Sequence, residues 1–137
     1  MKVGDRVLID HRTTLKGEWQ RGDVLLFNPP EDWGSDGDSL TKRLIGLPGE
    51  TIRIDSFEIF VNGRKLSEPY IRHKYGDWNQ TVHLGPKQYW VMGDNRDNSE
   101  DSRNLGPISE DDIMGRGLWR IYPPTRIGRL TRPNYGF

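Results

Sequence analysis

TIRIDSFEIFVNGRKL, residues 51–66, is the stretch from which the fold can be read. Thr51-Ile52-Arg53-Ile54 alternates polar with apolar, the two-residue period of a strand with one buried face. Glu58-Ile59-Phe60-Val61 then runs into Asn62-Gly63. That pair accepts the positive φ angles of a tight two-residue turn, and Arg64-Lys65-Leu66 leads back. Working outward toward the N-terminus, Leu47-Pro48-Gly49-Glu50 is a turn with proline and glycine in type II order. It is preceded by a predicted strand over residues 39–45 and an acidic loop over 31–38. Asn28-Pro29-Pro30 ends the apolar strand Val24-Leu25-Leu26-Phe27, because proline cannot donate to a ladder. Arg21-Gly22-Asp23 is a turn, residues 11–20 form a loop without helical periodicity, and residues 5–10 make the first strand. Toward the C-terminus, residues 67–86 are polar with scattered aromatics and read as a long excursion. Gly85-Pro86 leads into the buried strand Tyr89-Trp90-Val91-Met92. Residues 109–113 read as a turn, or at most one helical turn capped by Ser109. Gly117–Tyr122 is the last strand, stopped by Pro123-Pro124, and the basic tail to Phe137 is expected to fray.

Composition agrees with a β-rich or irregular chain. Its 137 residues suit one domain, and sixteen glycines with nine prolines favour many turns over a helix bundle. Twenty basic and twenty acidic residues cancel, so no global field recruits nucleic acid or anionic lipid. The absence of cysteine excludes disulfides, zinc–thiolate sites and thiol nucleophiles. No apolar run approaches the roughly 20 residues that span a bilayer, and no signal peptide precedes the fold.

Two stretches carry candidate chemistry. The first is Lys42, which as a strand residue shares a face with Leu40 and Leu44. It is either snorkelling at an edge or partly buried, and burial would lower its pKa toward that of a general base. Arg43, on the opposite face, is solvent-directed or paired with an acid. The second is Gly93-Asp94-Asn95-Arg96-Asp97-Asn98-Ser99-Glu100-Asp101-Ser102-Arg103, which follows directly on the apolar strand. Read as a calcium loop it fails in both registers: from Asp94 the twelfth position is Leu105, and from Asp97 it is Ile108. What remains is a turn network in which Asp94, Asp97 and Asp101 pair with Arg96 and Arg103 while Ser99 and Ser102 bond backbone or a neighbour. It is either a self-satisfied turn or a frame that holds something in place. No serine sits in a Gly-x-Ser-x-Gly elbow. His11, His73 and His83 show no metal-ligand spacing, and no cofactor is expected. The tryptophans and tyrosines read as core and turn packing, with Trp78 a candidate for an exposed membrane-interface residue.

Lys42-Arg43-Leu44-Ile45-Gly46-Leu47-Pro48-Gly49-Glu50 resembles the lysine motif of type I signal peptidases. Gly93 through Arg103, continued by Gly106-Pro107-Ile108, resembles the second hallmark motif of the same family, and the Arg21-Gly22-Asp23-Val24 turn fits as well. The resemblance runs in order from Val3 to about Gly128. It implies an irregular, mostly antiparallel β architecture with little helix. It also implies a serine endopeptidase that cuts signal peptides from exported precursors by a Ser/Lys dyad, at the outer face of the cytoplasmic membrane or in thylakoids. The family's general base falls on Lys42, and the serine that orients it falls on Ser99. Asp101 and Arg103 fall on the supporting acid and arginine, Asp94 and Arg96 would hold the loop, and Leu40 and Thr41 would line the substrate pocket. The partners implied are the signal peptide and, through an N-terminal anchor, the membrane surface, with no nucleic acid.

One departure stands out. The family's nucleophile lies in a Ser-Met…Pro-Thr motif just before the Gly-Asp that opens the first strand. Here that point is Gly4-Asp5, and only Met1-Lys2-Val3 precedes it. The expectation is therefore a catalytic core over residues 1–128 that lacks its serine motif and anchor, followed by the tail 129–137, and inactive alone. Without one wall of its site, Lys42 is expected to stay near an ordinary lysine pKa. The alternatives are a non-catalytic signal-peptide-binding or regulatory member of the same fold and, more distantly, a Ser/Lys self-cleaving repressor.

Overall fold

The computed structural model describes residues 6–10, 19–33, 37–69, 71, 78–98, 100–122, 124–130 and 132–136. Its strands are β1 (Arg6–Asp10), β2 (Val24–Phe27), β3 (Leu40–Gly46), β4 (Thr51–Ser56), β5 (Glu58–Val61) and β6 (Arg64–Lys65), followed by β7 (Trp78–His83), β8 (Gln88–Met92), β9 (Ile108–Ser109), β10 (Ile113–Tyr122) and β11 (Gly128–Arg129). One four-residue helix, α1 (Ser102–Leu105), and short 3-10 turns complete the described chain. All pairings among the described residues are antiparallel. One sheet has the order β1-β10-β2-β3-β8-β9 with β11 beside β10, and the other has the order β6-β5-β4-β7. This is the mostly antiparallel, helix-poor architecture expected from the sequence. No helix among the described residues is long and apolar enough to cross a membrane.

The hairpin over residues 51–66 forms as read. Asn62 and Gly63 take φ of +50° and +83°, the left-handed pair that a two-residue turn between twisted strands requires. Two segments differ from expectation. Residues 78–83 are not part of a loose excursion, because β7 pairs with β4 from Thr51↔His83 to Ser56↔Trp78. Its inward-leaning residues are Trp78, Gln80 and Val82, so only one aliphatic side chain marks the period. The strand read from Gly117 starts at Ile113, and it is not the last, since β11 follows it. The glycines that disguise it are there for proximity: a Cβ on Gly115 would lie 2.6 Å from Ile9 Cγ2 of the neighbouring strand.

The basic tail, expected to fray, is bonded to the domain. Arg132 Nε donates to Asp23 Oδ1 at 2.6 Å, Ser67 N donates to Tyr135 O at 3.0 Å, and the Tyr135 ring is buried in the core.

Two hydrophobic clusters share one wall. Ile45, Trp90 and Met92 belong to a cluster with Ile52, Ile54, Ile59 and Val61 of the hairpin sheet. Leu44, Tyr89 and Val91 belong to another with Leu25, Phe27, Trp33 and Ile113. Alternate residues of β3 and β8 therefore point into different cores, which is why Tyr89–Met92 is apolar without a gap. Gly46 lets the two sheets approach, since a Cβ there would meet Ile52 Cδ1 at 2.7 Å. The shared wall carries Lys42 near one end and releases the polar stretch at the other strand's end.

Candidate active site

β3 brings Lys42 onto the face of Leu40 and Leu44, which pack with the second cluster. Both leucines flank it at two-residue spacing, so its stem leaves water while its Nζ approaches the polar stretch beyond β8. Burial is the largest influence on its ammonium and pushes its pKa below the ordinary 10.5. The charges of Asp101, Glu100 and Asp94 oppose that shift, and Arg103 reinforces it. Against the expectation of a lysine near its ordinary value, the direction found is downward, with burial as its largest cause.

The polar stretch is a frame in which the Asp101–Arg103 pair and the bond of Ser102 to backbone are as read, while Arg96 and Asp94 pair outside the stretch. The Asp101 carboxylate is fully buried and accepts four hydrogen bonds. These come from Gly93 N at 2.9 Å, Arg103 N at 3.1 Å, Arg103 Nε at 3.0 Å and an Arg103 terminal nitrogen at 3.0 Å. It thereby caps α1 and ties the exit of β8 to that helix. Ser102 Oγ, also buried, accepts from Val91 N at 3.0 Å. Arg103 additionally donates to Arg96 O at 3.0 Å, and its guanidinium lies 5.4 Å from the Trp78 ring centre. Trp78 is thus half-buried under the frame and is not an exposed interface residue.

Arg96 and Asp94 reach outside the stretch. Arg96 Nε donates to Gly93 O at 2.8 Å, and its fork grips both carboxylate oxygens of Glu68. Asp94 receives Arg43 Nε at 3.1 Å and an Arg43 terminal nitrogen at 2.7 Å, while Arg43 also donates to Gly22 O at 3.0 Å. Arg43 is buried, so the paired alternative is the one observed. Glu68 and the bidentate Arg21–Glu50 pair, at 2.7 and 2.8 Å, were not singled out in the sequence. Nothing local marks them: their partners lie 28 and 29 residues away. Ser99, Asn98's side chain, His11 and His73 lie outside the described residues. His83 is exposed on β7 with Nδ1 2.8 Å from Thr51 Oγ1. Among the described residues no three acidic or histidine side chains converge as metal ligands.

Burial raises the Asp94 carboxyl, while its hydrogen bonds and charge contact with Arg43 lower it, and the net value falls below the ordinary 3.8. A carboxyl with a depressed folded pKa contributes stability above its unfolded pKa and loses it as pH falls through the folded one. Asp94→Asn should therefore lower the urea midpoint at pH 6. The difference from wild type should shrink as pH falls below the ordinary carboxyl value of 3.8. A difference of equal size at pH 2.5 would show that the Asp94–Arg43 pair is not its source.

Part of one edge of β3 pairs with no described strand. β2 pairs with Leu40 through Arg43 on one side. On the other side β8 pairs only from Arg43 onward, at Arg43↔Met92, Leu44↔Val91 and Gly46↔Trp90. Leu40, Thr41 and Lys42 thus present a strand edge that no described strand occupies.

A family model described as "Signal peptidase, peptidase S26" matches residues 1–122. The chain is 34% identical to the probable signal peptidase I-2 of Synechocystis sp., over 96% of this chain and 61% of that protein. It is 37% identical to signal peptidase I U of Bacillus subtilis, over 90% of this chain and 69% of that one. The chain thus spans about two thirds of the length of these relatives. The crystal structure of a signal peptidase I from Enterococcus faecalis superposes with a TM-score of 0.60 at 31% identity, covering 72% of this chain and 96% of that one.

Proposed function

The chain belongs to the signal peptidase (peptidase S26) family, and from that premise we propose that it is the lysine-bearing part of a Ser/Lys endopeptidase that removes signal peptides from exported precursors. Lys42 is the general base. In its neutral form it takes the proton of a serine hydroxyl as that oxygen attacks the scissile carbonyl, then returns it to the leaving amine. The observation that carries this reading is the desolvated Lys42 beside a rigid frame, with its pKa lowered by burial. A buried lysine holds a larger neutral fraction near neutral pH than an exposed one.

Ser99 would orient the Lys42 amine, and Asp101 with Arg103 would hold the loop that carries Ser99. The extended precursor would add as a strand along the edge of β3 that no described strand occupies, hydrogen-bonding by backbone and so tolerating varied sequence. Leu40 and Thr41 would then shape the pocket for small side chains. Cleavage would take place at the outer face of the cytoplasmic membrane or in thylakoids, where exported precursors emerge.

The nucleophile, in this proposal, is a serine supplied from outside these 137 residues. Of the five described serines, Ser102, Ser109 and Ser39 have hydroxyl contacts, while Ser56 is placed by strand pairing and Ser67 by a backbone bond to Tyr135 O. Ser102 is buried with Oγ on Val91 N, Ser109 caps a 3-10 turn, Ser39 Oγ contacts Asn28 and Met114, and Ser56 ends β4 opposite Trp78. The chain by itself should turn over a signal-peptide substrate at a rate lower by on the order of a million-fold than the same chain joined to an upstream segment bearing the family's serine motif. Incubating both with a fluorogenic signal-peptide substrate decides it. Robust turnover by the 137-residue chain would place the nucleophile within it.

A further inference from the structure

On the far side of β2 from Lys42 the first sheet contains a notch. β2 leaves β10 after Arg116↔Leu25, and β11 takes over the same ladder only at Trp119↔Arg129. Between them Gly117 and Leu118 lie opposite neither strand, although Leu118 O still accepts from Leu130 N at 2.7 Å. The gap is a cavity of about 240 Å³. Three arginines line it, Arg116 from β10, Arg129 from β11 and Arg132 from the tail, against one carboxylate, Asp23. That carboxylate is already committed, with Oδ1 receiving Arg132 Nε at 2.6 Å and Oδ2 receiving Gln20 N at 2.9 Å. Arg116 Nε is buried and has no hydrogen-bond partner among the described residues. A buried donor of this kind costs free energy unless something accepts from it.

We propose that this notch binds a phosphate-type oxyanion, held by Arg116 and Arg129 and bounded by the Arg132–Asp23 pair. Planar guanidinium forks match phosphate oxygens in pairs, and the surplus of cationic over anionic side chains at the cavity selects for negative charge. The oxyanion could be a free phosphate group or the headgroup of an anionic lipid. The second source is suggested by exposed apolar side chains on the neighbouring strand and turn, Leu8 at 52% and Ile127 at 62% accessibility. The site is separate from the proposed peptidase chemistry and stands or falls without it.

The test uses the 137-residue chain and two probes: inorganic phosphate, followed by the Nε–H resonances of ¹⁵N-labelled arginines, and vesicles of phosphatidylcholine with or without phosphatidylglycerol, followed by co-sedimentation. Saturable movement of the Arg116 Nε–H resonance by phosphate assigns the site to a small oxyanion. Sedimentation only with phosphatidylglycerol assigns it to a headgroup. The double variant Arg116→Gln/Arg129→Gln should weaken either binding by about tenfold or more, while Arg53→Gln on the exposed face of β4 leaves it unchanged. If the double variant fails to fold, the Arg116 resonance and the vesicle assay with the unaltered chain decide alone. Binding of neither probe, or equal loss in the Arg53→Gln control, would overturn the proposal.

Discussion

Lys42→Met, made in the chain joined to a serine-bearing upstream segment, should lower kcat/KM for signal-peptide hydrolysis by about a thousandfold or more. A positioned general base contributes on the order of 10²–10⁴, and groups that act as a unit cost more when one is removed. Methionine keeps the stem's packing against the neighbouring leucines, so the loss would report on the amine and not on a cavity. The unaltered protein should show kcat/KM rising with pH as Lys42 gives up its proton, with a midpoint below the ordinary lysine value of 10.5 because burial disfavours the ammonium. Steady-state rates from pH 6 to 11 check this. A rate independent of pH across that range, or a Lys42→Met variant within tenfold of the parent, would remove Lys42 from the chemistry.

Asp101→Ala should be the most destabilising single change in the frame. It would strand the Arg103 guanidinium, only 3% exposed, without its counter-charge, and would leave Gly93 N and Arg103 N without their acceptor. Breaking a buried ion pair from one side costs about 3–5 kcal/mol, a large share of the roughly 5–15 kcal/mol by which a domain is folded. Tm should fall by about 10 °C or more. The exposed pair Arg53–Asp55, 3.6 Å apart with side chains 46% and 58% accessible, is the contrast. Asp55→Ala should cost no more than about 1 kcal/mol. Urea unfolding of the two variants side by side is the check, and a similar small loss for both would mean the Asp101 network relaxes instead of holding β8 to α1.

What could be read ahead of the structure follows the range of the interactions. The 51–66 hairpin is local chemistry, a two-residue period closed by Asn62-Gly63, and it formed as read. The alternation Leu40-Lys42-Leu44 left partial burial of the lysine as one of two readings, and it is the one observed. β7 escaped because Gln80 and Trp78 dilute its inward face, and β10 because Gly115 and Gly117 are in the strand to admit neighbouring atoms. The frame around Asp101 was visible as a concentration of acids and arginines, its Arg103 partner included, but the partners distant in sequence were not. Arg43 joins Asp94 across 51 residues, and Arg132 joins Asp23 across 109. The tail's composition suggested solvent. Its place in the fold depends on one aromatic ring and one guanidinium whose acceptors are set by the sheet.

The pairing of β1 with β10 also sets an order of events. The only described partner of the first strand is made more than a hundred residues later, so during synthesis Arg6–Asp10 must wait for Ile113–Tyr122 before it has a ladder to join. Contacts this distant in sequence form slowly, because the entropy of loop closure comes before any gain. If a serine-bearing segment is joined ahead of β1, as proposed above, its attachment point is fixed only once the distal half of the domain is complete. A peptidase assembled in that sequence would stay unarmed while it is still being made.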